Sequence, residues 1–462
     1  MNDTTIAAIA TPSGYGGIGI VKISGPDAIR AATAIFHRKL RKSEPADYDW
    51  LPESRRLYYG HIIDSDTNRR VDEVLFAVMR APASYTGEDV VEIQAHAGSL
   101  VLKSILNLLL KQGVSLAGPG DFTRRAYLNG RMDLTQAEAV IDLINARTSS
   151  SIELAMQQLD GALTSELQGI KEVLLDISAE MEARIDFPEE ANETAFEYDV
   201  AHKLETTVLS SIRRLIQQHK ERNWLREGLR VAIAGSPNVG KSSLLNRLVN
   251  RDRAIVTEHP GTTRDLVEDG FIANGVPVII TDTAGIHEQP DPIESVGIEK
   301  ALAHIESADL ILFVLDASQA FMAAHASFLA RFQGKPTLLV LNKMDLPERI
   351  EIPERWHDLP TIRVSAKYNR AIDQLKETIA SHAVSIESAE ASAVIPNLRQ
   401  TIALERCRIS LEAALNGLVE NQSAELVTID LDQALEALLE ITGEKLEADI
   451  LDRIFERFCI GK

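Results

Sequence analysis

Residues 235–242 read Gly-Ser-Pro-Asn-Val-Gly-Lys-Ser, the spacing G-x-x-x-x-G-K-[ST], and they stand in the middle of a 462-residue chain. A phosphate-binding loop of this kind needs a buried strand before it and a helix after it, so it dictates the local architecture. Leu229–Ala234 is a short β-branched run bounded by Gly228 and Gly235, and Ser243–Val249 reads as a helix. Gly235 and Gly240 permit the turns that aim successive N–H groups at phosphate oxygens, where the helix dipole adds positive charge. Lys241 is expected to reach the β- and γ-phosphates and the Ser242 hydroxyl to bind Mg2+. Asn238, Val239 and Ser243 complete the cradle.

Two further apolar runs end in polar residues. Val276–Ile280 leads into Thr281-Asp282-Thr283-Ala284-Gly285, where Asp282 is placed to serve magnesium and Gly285 to let a backbone N–H approach the γ-phosphate. Leu338–Leu341 leads into Asn342-Lys343-Met344-Asp345. A carboxylate at Asp345 can accept from the N1–H and exocyclic amine of guanine, a pairing adenine cannot offer, so the expected nucleotide is GTP. Val364-Ser365-Ala366-Lys367 then supplies backbone donors for the guanine O6.

Between the first two motifs, Thr257-Glu258-His259-Pro260-Gly261-Thr262-Thr263 is polar and rich in breakers, as a γ-phosphate-sensing loop is, with Thr263 the second magnesium hydroxyl. Ile286 stands where Ras-like GTPases place a water-orienting Gln, and an isoleucine cannot orient water. Two residues offer other routes to hydrolysis. The Asn238 amide oxygen is suited to a monovalent cation bridging the phosphates. Glu294 either positions water or belongs to an exposed acidic loop.

The flanking chain is 45% hydrophobic and carries a net charge of −20, which argues against broad, unaided nucleic-acid binding. Acidic and basic residues balance in residues 1–120, so the excess acid lies beyond them. His37–Lys42 and Arg124-Arg125 are basic enough to touch RNA, although a solvated face is the better reading of each. No run is apolar enough for a membrane span, and Cys407 and Cys459 lack metal-ligand spacing, which points to a cytoplasmic protein. Short β-like runs in residues 1–120, such as Gly19–Ile23 and Val71–Val78, predict an α+β domain. Helical patterns over 121–225 and 385–462 predict one bundle with a GTPase domain, 226–384, inserted in it; separate helical linkers are the alternative. The expected fold class is therefore multidomain: a mostly parallel P-loop sheet with flanking helices, a helical bundle and an α+β domain.

Ala10-Thr11-Pro12 with Gly16–Ile20, Tyr85-Thr86-Gly87-Glu88-Asp89, Ile185-Asp186-Phe187-Pro188 and Phe458-Cys459-Ile460-Gly461-Lys462 add a specific signature. With them the whole chain resembles the MnmE (TrmE) family of bacterial tRNA modification GTPases. The resemblance implies an N-terminal domain that dimerises and binds a tetrahydrofolate derivative, 5-formyl- or 5,10-methylenetetrahydrofolate. It also implies a flavin-dependent partner, MnmG, in a heterotetramer that modifies carbon 5 of the wobble uridine of certain tRNAs. Potassium is the implied activator, held by Asn238, Thr257, Thr262 and the His259 backbone, with Glu294 on the family's hydrolysis glutamate. The implied folate residues are Lys22, Glu92, Arg131 and Lys462. Lys22, where some relatives have Arg, keeps the charge without the planar fork. Cys459 matches a family cysteine, and a buried structural thiol is the competing reading. A ribosome-assembly switch would share the motifs from Gly235 to Lys367, and a dynamin-like scaffold would need a membrane-binding segment.

Overall fold

The computed structural model describes residues 4–12, 14, 16–39, 50–186, 195–249, 269–282, 304–384, 394–446 and 448–462. They form two compact units: residues 1–141, 158–191 and 421–462 in one, 142–157 and 192–420 in the other.

The first unit is built on a seven-stranded sheet. Its strands are β1 (Ile6–Ile9), β2 (Ile18–Ser24), β3 (Phe36–Arg38), β4 (Leu57–Asp64), β5 (Arg69–Met79), β6 (Val90–His96) and β7 (Ser115–Leu116), in the order β3-β4-β5-β6-β2-β1-β7. All neighbours are antiparallel except β1 and β7. Period-two alternation decides the faces: Tyr58, Gly60 and Ile62 of β4 and Val74, Phe76 and Val78 of β5 point to one side and are buried. The helices Ala28–Ile35 and Ser99–Lys111 cover that side, burying Ala28, Ala31, Ala32, Ile35, Ile105 and Leu109 in the same core. The runs read as strands at Gly19–Ile23 and Val71–Val78 lie within β2 and β5. In the same unit the helix Ala162–Asp186 packs on Ala424–Thr442, and the two lie within the helical patterns of 121–225 and 385–462.

The second unit holds a six-stranded sheet of β8 (Leu229–Ala234), β9 (Asp269–Ala273), β10 (Val276–Asp282), β11 (Leu310–Asp316), β12 (Thr337–Asn342) and β13 (Thr361–Arg363). The order is β13-β12-β11-β8-β10-β9, and every pair is parallel except β10 with β9. β11 and β12 are buried along their full length, as strands covered on both faces must be, which is why they read as unbroken apolar runs. Parallel strands send their carboxyl ends to one edge, and that edge carries the carboxyl ends of β8, β10, β11 and β12. The helix Leu398–Val419 packs on Ser210–Arg222 in this unit; Asn397 caps its start by accepting from the Gln400 N–H at 2.9 Å, while the Gln400 side chain accepts from the Asn397 N–H at 2.8 Å.

Candidate functional site: a nucleotide cradle and a charged sheet face

β8 ends at Ala234, and the loop to Gly240 leads into the helix Lys241–Val249. Gly235 has φ 147, and a Cβ there would lie 2.3 Å from the Val314 carbonyl oxygen of β11, so only glycine fits. Asn238 is also left-handed, with φ 63, and is exposed. Lys241 is buried, and its Nζ donates to the carbonyls of Gly235 and Ser236, both at 2.9 Å. The ammonium thus caps the loop into which the phosphates would be drawn. Ser242 and Ser243 are exposed in the first helical turn, where a hydroxyl is free to meet a metal.

The base-reading motifs converge on this loop. Asn342, 2% exposed at the end of β12, donates from Nδ2 to the Val239 carbonyl at 2.8 Å and accepts from the Ala366 N–H at Oδ1 at 3.0 Å. One side chain therefore ties the phosphate loop to the segment at Ser365-Ala366-Lys367. Asp345 accepts from the Ser365 hydroxyl at 2.7 Å, which holds its carboxyl below the usual carboxylate range and keeps it ionised for a guanine edge. Lys343 has φ 66 and pairs with Asp316.

Two contributors escaped the sequence reading. Asp316 closes the buried strand β11, the same signal that singled out Asp282 and Asn342. His325 lies beneath the loop, its Nδ1 accepting from the Met322 N–H at 3.1 Å, so Nε2 carries the proton and donates to Ser236 Oγ at 3.2 Å. Burial lowers its pKa and favours this neutral form. Asp282 ends β10, paired with Ile233 of β8, so its backbone stands beside the phosphate loop. Thr257, Glu258, His259, Pro260, Gly261, Thr262, Thr263, Thr283, Ala284, Gly285, Ile286 and Glu294 lie outside the described residues. Ser242 thus supplies one hydroxyl suited to magnesium, and the exposed Asn238 amide suits a monovalent ion. Among the described residues no cluster of His, Cys, Asp and Glu forms a separate metal site.

The first unit carries a second constellation. Lys22 of β2 stands opposite Glu92 of β6 in register, 8% exposed, with Nζ 4.5 Å from the Tyr85 ring centroid and 5.1 Å from that of Phe122. Burial pushes its pKa down to about 8; Glu92 opposes the shift and Lys462 reinforces it. Lys462 is brought there by the segment Cys459–Lys462: the Gly120 N–H donates to the Cys459 carbonyl at 3.4 Å and the Phe122 N–H to the Lys462 carbonyl at 3.2 Å. Arg131 is exposed, its Cγ close over Gly87, in the segment that presents Tyr85. Three of the four residues implied by resemblance therefore share one electrostatic neighbourhood, and the fourth flanks the same loop. Cations beside a carboxylate and two rings are a donor set that fits a heteroaromatic ligand with carboxylate arms.

The Tyr85–Asp89 signature is a structural clamp for that site. Glu88 accepts from Ser24 Oγ at 2.8 Å and from Arg125 Nη1 at 2.9 Å, and Arg125 Nη2 donates to the Thr4 carbonyl at 2.8 Å. This overturns the solvated-face reading of Arg125 and its alternative as an RNA contact, because its side chain is only 5% exposed. Arg124 is paired with Asp452 at 2.8 Å. Cys459 is exposed, which overturns a buried structural thiol there; Cys407 is the buried one.

Residues 134–459 match the family profile described as the MnmE helical domain. The chain belongs to the MnmE family. Residues 5–131 match the profile for the GTP-binding protein TrmE N-terminus. Curated MnmE relatives, each called a tRNA modification GTPase, align end to end. The Carboxydothermus hydrogenoformans protein is 43% identical over 472 residues, covering 100% of both chains. The Geobacter sulfurreducens protein is 44% identical over 467 residues, covering 100% of this chain and 99% of its own. A solved structure of a point variant of Aquifex aeolicus Era bound to GDP.AlF4- is 29% identical and covers 39% of this chain and 66% of that one, with a TM-score of 0.27. In this MnmE-family chain the described residues contain no helix long and apolar enough to cross a membrane.

Proposed function

We propose that this chain hydrolyses GTP at the cradle after β8 and couples that cycle to modification of the wobble uridine of certain tRNAs. The observation that carries the reading is Asn342, bonded at once to Val239 of the phosphate loop and Ala366 of the base loop, with Asp345 held ionised by Ser365. Lys241 and the loop amides bind the phosphates, Ser242 with Thr263 and Asp282 would hold magnesium, and Asp345 selects guanine. Glu294 is the residue proposed to position the attacking water. Potassium, when bound through Asn238, Thr257, Thr262 and the His259 backbone, supplies the positive charge that an arginine finger gives elsewhere.

Lys22, Glu92, Arg131 and Lys462 are proposed to bind a tetrahydrofolate derivative that serves as one-carbon source. The supporting chemistry is an ammonium, a guanidinium and a carboxylate around two aromatic rings. The same sheet face supports a homodimer. Leu57, Ala77, Glu92 and Lys22 form one cross-strand row, and Tyr59, Leu75, Gln94 and Ile20 the next. Leu57, Tyr59 and Leu75 are 58%, 41% and 37% exposed, so this face offers apolar surface, which a second copy would cover. MnmG is the proposed partner, in a cytoplasmic heterotetramer installing a carboxymethylaminomethyl or aminomethyl group. The proposed division is 1–120, 121–225 with 385–462, and the inserted 226–384.

The deciding experiment is mass spectrometry of wobble nucleosides in tRNA from cells lacking this protein. Loss of the carbon-5 group supports the reading, and an unchanged profile returns the chain to a translation-switch role. GTP turnover of the purified protein, compared in potassium and in sodium, tests the cation separately; equal rates would remove it.

A further inference from the structure

The helix that follows the phosphate loop reaches the base-reading loop through one side chain. Arg247 donates from Nε to the Ala366 carbonyl at 2.9 Å and from Nη2 to the Lys367 carbonyl at 3.1 Å. It lies in the last turn of its helix, where a basic side chain commonly serves its own helix's free carbonyls. Here the guanidinium instead spans 119 and 120 residues of sequence to two successive carbonyls of another loop. That fork is a shape a lysine cannot reproduce.

A trans peptide plane makes the consequence directional. The carbonyl of one residue and the N–H of the next point opposite ways. Fixing the Ala366 carbonyl toward Arg247 aims the Lys367 N–H away from that helix, and fixing the Lys367 carbonyl does the same for Tyr368. The second is visible: the Tyr368 N–H points back to Ser365 Oγ at 3.4 Å, the hydroxyl that itself holds Asp345. The Ser365 and Arg370 backbones close the turn with reciprocal bonds at 3.2 and 3.1 Å, so the loop's shape is set from within and its orientation from Arg247.

We infer that Arg247 is a positioning residue for base selectivity, orienting the Ser365-Ala366-Lys367 backbone so that the Lys367 N–H meets the O6 of a bound guanine, the Ser365 and Ala366 N–H groups being given to the Arg370 carbonyl and to Asn342. This deepens the proposed GTP site and rests on it. Asp345 reads the N1 and exocyclic-amine edge and is met by the Ser365 hydroxyl; Arg247 acts on the O6 edge through the Ala366 and Lys367 carbonyls. Nucleotides that carry O6 and one that lacks it therefore report on Arg247.

The test uses the full chain and three diphosphates: GDP, IDP and the 2-aminopurine riboside diphosphate, which bears hydrogen at position 6, has no N1–H and keeps the exocyclic amine for Asp345. In Arg247→Ala, GDP and IDP affinities fall together by about threefold to tenfold, the scale of one weakened hydrogen bond, because both carry O6. The 2-aminopurine nucleotide changes by less than about twofold. Arg247→Lys, reaching one carbonyl at a time, falls between wild type and Ala. Equal weakening of all three nucleotides would mark a merely structural role and overturn the inference, as would unchanged affinities. A wild-type protein that binds GDP no better than the 2-aminopurine nucleotide would instead sink the guanine site itself.

Discussion

Asp316 accepts a hydrogen bond from the Lys343 ammonium at 2.8 Å, joining the end of β11 to the residue just past the end of β12. The carboxylate is 5% exposed and also accepts from the Ser318 N–H at 2.9 Å and its hydroxyl at 2.7 Å. Burial alone would raise its pKa, but these donors outweigh it and hold the carboxyl below 3.8. A folded-state value below the unfolded one means the stabilisation is present above about pH 4 and lost as pH falls through the folded value. Asp316→Asn should therefore lower the melting temperature at neutral pH, with a loss on the order of 1.5–3 kcal/mol for a charged hydrogen bond. It should also weaken guanine-nucleotide affinity severalfold by freeing Lys343. Thermal melts across the acid range check the first effect: wild type and variant should converge below about pH 4.

The Lys22 pKa is lowered too, but here the fold disfavours the charged form instead of favouring it. Its folded pKa of about 8 lies below the ordinary 10.5, so the unfolded chain binds the proton more tightly between those values. The burial penalty is fully present below about pH 8 and is relieved as pH rises toward 10.5. Lys22→Met should raise thermal stability at neutral pH, by on the order of 1–3 kcal/mol, while abolishing binding of 5-formyltetrahydrofolate. In the wild type, affinity for that anionic ligand should fall as pH passes about 8. Calorimetric titration on both sides of that value decides it; a flat affinity would mean Lys22 does not meet the ligand's negative charge.

The nucleotide cradle was readable because its parts sit at the ends of buried runs. The strands before Gly235, at Asp282 and at Asn342 announce themselves by composition alone, and the helix after Lys241 follows from the loop. What escaped was pairing across distance. Lys343 and Asp316 meet only because β11 and β12 are parallel neighbours, and His325 reaches Ser236 only because its helix passes under the loop. Lys22 and Glu92 are opposite each other through the β2–β6 register, which no local period encodes, so they entered by resemblance rather than by chemistry. Arg124-Arg125 shows the reverse error, two adjacent cations on one short helix. Only the fold reveals that Arg125 is a buried clamp on Glu88 while Arg124 meets Asp452.

The two thiols should differ sharply in reactivity. Cys407 is fully buried, and burial pushes its pKa up to about 12, so almost no thiolate forms at neutral pH. Cys459 is exposed. Maleimide labelling of the native protein should modify Cys459 rapidly and leave Cys407 at least about a hundredfold slower, with the second thiol appearing only on unfolding. Peptide mapping reads this directly. Cys459→Ser should abolish the fast phase, and a fast phase that survives would mean the helix Leu398–Val419 opens readily around Cys407.

Gly461 is the hinge on which Lys462 reaches the charged face. Its φ is 92, and an added Cβ would lie 2.6 Å from Ala10 Cα and 2.9 Å from the Ile9 carbonyl oxygen. Both obstacles are backbone of or beside β1, so neither can swing aside as a side chain would. Gly461→Ala should detach Cys459–Lys462 from Gly120 and Phe122, combining about 1–3 kcal/mol of left-handed strain with the lost tail contacts. Detachment removes the Lys462 charge that helps depress Lys22, so the Lys22 pKa should rise from about 8 toward 10.5. Tetrahydrofolate binding should then drop about tenfold or more while GTP turnover is unchanged, since the nucleotide cradle belongs to the other unit. Site-specific titration of Lys22 by NMR, read beside ligand affinity, checks both halves. Weak binding with an unmoved Lys22 would mean that the tail holds ligand by contact alone, and unaltered binding would remove Lys462 from the site.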